Sequence, residues 1–143
     1  MPTYRKLLAA IDLSDEADAV LQRAHEMAGL YGAELYLLHV IEPLGYAYGG
    51  DIPMDLSALQ QQLEATAQAQ LEALGDRFDL DSSLQILAVG RPHTEIHRVA
   101  QDLEIDLILV GSHGRRGIQL LLGSTANGVL HGAPCDVLAV RIH

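Results

Sequence analysis

The 143-residue chain reads as an α/β protein, a three-layer, doubly wound, mostly parallel five-stranded sheet with four helices. Three observations predict it. Short apolar runs alternate with stretches of helical period. The runs are continuously apolar, as in strands buried on both faces, and do not alternate. A helical stretch separates each run from the next, so the strands need crossover connections and pair in parallel.

Leu7 to Ile11 is the first strand, and Asp12-Leu13-Ser14-Asp15-Glu16 is the loop that enters a helix, with Ser14 as the expected N-cap. Ala17, Val20, Leu21, Ala24, Met27 and Ala28 recur at spacings of three and four, and this helix stops near Tyr31-Gly32. Leu35 to Ile41 is the second strand. A helix over about Asp55 to Gly75 carries Leu56, Leu59, Leu63, Ala67, Leu71 and Leu74 on one face. Leu84 to Val89 is the third strand, and Pro92 opens a helix that turns Ile96, Val99, Ala100 and Leu103 inward. Leu107 to Val110 is the fourth strand, ending at Gly111. A last helix over roughly Ser124 to His131 and a strand from Asp136 to Ile142 complete the pattern. Residues 1–143 read as one domain without repeats or linkers, and Glu42 to Asp55, the longest irregular stretch, is a candidate lid.

Composition narrows the function. Nine Lys and Arg face nineteen Asp and Glu, a net charge of −10, which disfavours nucleic acid or an anionic membrane as partner. Leu7 to Ile11 is too short for a signal or membrane segment, and a lone cysteine forms no internal disulfide, so a cytoplasmic protein is expected. Against this acidic background, residues 112–143 hold Arg115, Arg116 and Arg141 with one acid, Asp136, which points to a small anionic ligand.

In an open parallel sheet, ligands bind beyond the carboxyl ends of the strands where the winding reverses. In a 3-2-1-4-5 order that crevice lies between the first and fourth strands. Asp12 ends the first strand, Gly111-Ser112-His113-Gly114 ends the fourth, and Gly123-Ser124-Thr125 precedes a helix. Such glycines admit close backbone approach, and the last three residues offer N–H groups, hydroxyls and the positive end of a helix dipole, which together make a phosphate cradle.

The sequence resembles the universal stress protein family over nearly its whole length. The resemblance rests on Ala10 to Ser14, Leu37-Leu38-His39-Val40, Gly90-Arg91-Pro92, Ile105 to Gly114, Leu121 to Ala126 and Ala133 to Leu138. It implies a flavodoxin- or Rossmann-like homodimer, paired through its last strands, that acts in stress adaptation. One branch of the family binds ATP and carries G-x2-G-x9-G-(S/T); here eight residues, not nine, separate Gly114 from Gly123. Carried over, the resemblance assigns Asp12 to the ribose or adenine side and Val40 to backbone contact with adenine. It gathers Val110, Gly111, Gly114, Gly123, Ser124 and Thr125 around ribose and phosphates, and Ala10, Ser112, His113 and Arg115 are further candidates for the nucleotide site. The expected ligand is ATP, with or without Mg²⁺, or another adenine nucleotide. The competing reading is an interaction module whose pocket is vestigial.

Other signals fail on inspection. A phosphoacceptor Asp12 needs an acidic neighbour and a later Lys, and the only lysine is Lys6. His93 and His97 share a helix face without the H-E-x-x-H order or a third ligand, and read as exposed side chains. His39 is expected to pack in or near the end of its strand, and Cys135 to be a buried, inert thiol. P-loop, G-x-S-x-G and H-x-G-H motifs are absent, and no residue stands out as catalytic.

Overall fold

The structure, a computed structural model, describes residues 3–14, 16–43, 57–112 and 124–141. Five strands form one sheet: β1 (Lys6–Ile11), β2 (Glu34–Ile41), β3 (Gln85–Val89), β4 (Leu107–Gly111) and β5 (Asp136–Val140). Their order is β3-β2-β1-β4-β5, and all four pairings are parallel. The crossovers carry helices α1 (Ala17–Tyr31), α2 (Ser57–Arg77), α3 (Pro92–Asp102) and α4 (Ser124–Leu130). The fold class is the one expected from the alternating periodicities, and the strand order is the 3-2-1-4-5 used to place the crevice.

The continuous apolar runs are explained by the layers. Leu7, Ala9, Ile11, Leu37, Leu107 and Leu109 point to one face, where they pack on Val20, Leu21 and Ala24 of α1 and on Leu71 and Leu74 of α2. Leu8, Ala10, Leu38, Ile108 and Val110 point to the other, against Ile96, Val99 and Ala100 of α3 and Ala126 and Val129 of α4. A residue such as Leu71 or Leu109, fully buried, contributes about 1.5–3 kcal/mol by leaving water.

The amino ends of β1 and β4 are latched by polar groups. Asp106 Oδ2 accepts the backbone N–H groups of Arg5 at 2.8 Å and Lys6 at 3.0 Å, and Lys6 Nζ donates to the Leu103 carbonyl at 3.0 Å. This closes one end of the sheet and leaves the carboxyl ends to open.

Several boundaries differ from those expected. The second helix runs past Gly75 to Arg77. The helix-interior penalty for glycine, about 1 kcal/mol, is outweighed because Gly75 is buried against Gln85, whose amide a Cβ would overlap. Residues 82–84 form a 3₁₀ turn, so β3 begins at Gln85. The last helix ends at Leu130 and β5 at Val140. Glu16, not Ser14, is the N-cap of α1. Ser14 supports the helix start differently: its carbonyl accepts Ala17 N–H at 3.0 Å and its Oγ accepts Glu16 N–H at 3.3 Å. Gly32 closes α1 in the left-handed region, φ 61°, as expected of a C-terminal glycine. The candidate lid, apart from Glu42 and Pro43, lies outside the described residues.

Candidate functional site

The sheet splits at its carboxyl end. Pairing of β1 with β4 stops at Ala9↔Leu109, while β1 stays with β2 to Ile11↔His39 and β4 stays with β5 to Gly111↔Val140. Beyond Ala9 and Leu109, each strand therefore follows its outer neighbour, and a gap opens between Ala10–Asp12 and Val110–Gly111. A cavity of about 630 Å³ occupies this end of the molecule, within the range of sites for small organic ligands.

Six of the residues expected at the site line this cavity: Ala10, Asp12, Val40, Val110, Gly111 and Thr125. They come from three strands, the turn after β1 and one helix, and they converge because the parallel topology puts every strand's carboxyl end on one edge. Ser112 lies just beyond β4, and its backbone N–H donates to the Val140 carbonyl at 2.8 Å, which commits that amide to the sheet. Ser124 is the first residue of α4. His113, Gly114, Arg115 and Gly123 lie outside the described residues.

Asp12 is held by its own turn. Its Oδ1 accepts Ser14 N–H at 3.0 Å and Ser14 Oγ–H at 2.6 Å, an arrangement typical of Asp at turns. Leu13 between them has φ 59°, a left-handed conformation unusual for leucine. His39 braces the same strand end from β2: its Nδ1 lies 2.8 Å from the Ile11 carbonyl oxygen, which only accepts, so Nδ1 carries the proton. The expectation that His39 packs at the end of its strand is met.

The inner surface is apolar, formed by Ala10, Leu38, Val40, Ile96, Val110 and Ala126, and the charged lining among the described residues is acidic: Asp12, Glu16 and Glu42. The α2 wall, Leu63, Thr66, Ala67 and Gln70, was not expected at the site. Its signal was present, since positions 63, 66, 67 and 70 recur at helical spacing. The pattern alone, however, says only that this face is covered, not that its N-terminal half overhangs a cavity. Among the described residues, no group of three or more His, Cys, Asp and Glu side chains is placed to hold a metal ion.

The two helix histidines part company. His93 is exposed, as expected. His97 is half-buried, and its Nε2 lies 2.7 Å from the Val129 carbonyl oxygen; the reading of both as exposed is corrected by the docking of α4 onto α3. Cys135 is half-buried, and burial, then the carboxylates of Asp136 and Asp106, push its thiol up to about 11.

A parallel doubly wound sheet that parts at its switch point over a cavity with an apolar floor and one turn-held aspartate defines a doubly wound α/β protein, a class in which ligands generally bind at that point. Sequence comparison assigns the family: residues 3–141 match the universal stress protein family, and the chain belongs to it. Universal stress protein A homolog 2 of Coxiella burnetii is 43% identical, covering 99% of this chain and 98% of its own. Universal stress protein MJ0577 of Methanocaldococcus jannaschii is 29% identical over 96% of this chain and 95% of its own. The solved structure of MJ0577 superposes with a TM-score of 0.82 at 27% identity, covering 99% of each chain. A universal stress protein solved in complex with cAMP has a TM-score of 0.68 at 22% identity, covering 99% of this chain and 98% of that one, and shares the fold.

Proposed function

We propose that this universal stress protein binds an adenine nucleotide, ATP in the first instance, in the gap between β1 and β4, and that occupancy lets it act as a stress-response sensor or regulator. The observation that carries the reading is the split of the sheet after Ala9 and Leu109, with Asp12 on one lip, Gly111 on the other and Thr125 beside them. The residues fit the ligand. Ala10, Val40 and Val110 offer apolar surface to a base, the Asp12 carboxylate accepts from ribose hydroxyls, and the Thr125 hydroxyl donates to phosphate. The acidic lining near Asp12 is unsuited to phosphates, so those groups belong toward the fourth strand, after which Arg115 follows in the sequence. Mg²⁺ would travel on the phosphate oxygens with water and at most one carboxylate, as this ion commonly does.

The same acidic lining favours a second reading, a protein-interaction module that holds no nucleotide; the shortened glycine spacing points the same way. We further propose one domain over residues 1–143, a cytoplasmic location and a homodimer joined through β5, whose outer edge is otherwise an unpaired strand among the described residues. No helix among the described residues is long and apolar enough to cross a membrane.

Calorimetric titration with MgATP separates the two readings. Binding is expected, and Asp12→Asn, which keeps an oxygen for the Ser14 turn and removes the charge, should weaken it by about tenfold or more. Gly114→Val should abolish it through the bulk added to the glycine pattern. Absence of heat with the unmodified protein at millimolar MgATP leaves the interaction module as the function.

A further inference from the structure

The crevice leaves His93 and His97 unused, yet both stand where α3 meets α4. His97 Nε2 is 2.7 Å from the carbonyl oxygen of Val129. A carbonyl only accepts, so this nitrogen carries the proton and donates. The Val129 carbonyl belongs to the last turn of α4, whose carbonyls lack partners within the helix, and the imidazole supplies one from the neighbouring helix. His93 closes the other side: its ring meets that of His97 edge to face at 6.4 Å, and a Cβ built at Gly128 would come within 2.9 Å of His93 Cγ. The α4 backbone is thus held by a hydrogen bond at Val129 and by close approach of a glycine at 128.

Both helices reach the cavity by their N-terminal parts. Pro92 and Ile96 of α3 and Thr125 and Ala126 of α4 line it, while His97 directly follows Ile96 and Val129 lies about one turn beyond Ala126. Ala126 and Val129 are buried and hold α4 to the sheet, but apolar burial has no direction and leaves a short helix free to slide or roll. A hydrogen bond has a direction and selects one height.

We propose that His97 is a positioning residue for the nucleotide site: its bond to Val129 sets the register of α4 on α3 and thereby the place of Thr125 on the cavity wall. The inference rests on the nucleotide reading for its effect on affinity, but its effect on α4 stands apart from any ligand.

The test uses the full chain with His97→Leu, which removes the donor, and His97→Gln, whose amide nitrogen can donate from nearly the same point. Nitrogen-15 spectra of the unmodified protein should show His97 as the Nε2–H tautomer. Amide exchange of Ala126 to Leu130, measured without nucleotide, should quicken by about tenfold in His97→Leu, and MgATP affinity should fall by a similar factor. His97→Gln should recover both to within about threefold. Gly128→Ala, which presses a methyl on His93 from the other helix, should shift exchange and affinity in the same direction and serves if His97→Leu does not fold. Unchanged affinity in His97→Leu or, in its place, Gly128→Ala, with nucleotide bound normally by the unmodified protein, overturns the inference alone. Equal losses in the Leu and Gln variants overturn the donor role. If the unmodified protein binds no nucleotide, the nucleotide reading and the affinity effect both fall, and unchanged α4 exchange would remove the positioning role as well.

Discussion

Single side chains at this site are held before any ligand arrives. Asp12 Oδ1 is anchored by the Ser14 amide and hydroxyl, and the Ile11 carbonyl beside it accepts a hydrogen bond from His39 Nδ1–H. This ordering lowers what a ligand must spend on freezing the turn. Cys135 illustrates the opposite case, a reactive group made inert. Burial and the two neighbouring carboxylates raise its thiol to about 11, so at pH 8 it should react with a disulfide reagent roughly a hundredfold more slowly than a free thiol. The sign for stability follows. The unfolded thiol ionises first, near pH 8.5, so this residue's contribution is intact below about that pH and is lost as pH rises toward 11. Urea midpoints between pH 8 and 10.5 should fall more steeply for the unmodified protein than for Cys135→Ser.

Among the elements, α2 does two jobs with its two halves. Its C-terminal half, with Leu71 and Leu74 buried, closes one face of the sheet, and its N-terminal half leaves Leu59 and Leu63 exposed, Leu63 on the cavity wall. The halves should respond differently to truncation. Leu71→Ala is expected to lower stability by about 2–5 kcal/mol, read from denaturant unfolding. Leu63→Ala should leave stability within about 0.5 kcal/mol and act instead on affinity at the cavity. Equal destabilisation by both would show that α2 packs evenly along its length. The helix was legible as an apolar stripe. Its end was not, because Gly75 reads locally as a stop and becomes tolerable only when Gln85, ten residues on, takes the space a side chain would fill.

For the whole molecule, the same parallel order that opens the crevice leaves β3 and β5 as edges among the described residues. A β5-paired homodimer would cover one of them, and light scattering at micromolar concentration should give twice the chain mass; a monomer at that concentration excludes the β5 pairing. The net charge of −10 disfavours polyanions over the surface as a whole, and under the proposed nucleotide reading the acidic described lining of the cavity would direct phosphates to the fourth-strand side, after which the sequence supplies Arg115 and Arg116. Much of this arrangement could be read in advance. Strand runs without alternation announced burial on both faces, and the switch-point rule brought Asp12, Gly111 and Thr125 to one end.

What the sequence determined by itself was therefore the fold class, the family and the end of the sheet at which the candidate site lies. These follow from periodicity, crossover handedness and motif order, all of which are local or topological properties of the chain. Only the tertiary structure decided where β1 and β4 part, which half of α2 overhangs the gap, that the Ser112 amide serves β5, and that His97 reaches Val129. Each of these depends on register and close packing between segments far apart in sequence. A periodic pattern says that a face is covered, and only the folded chain says by which atoms.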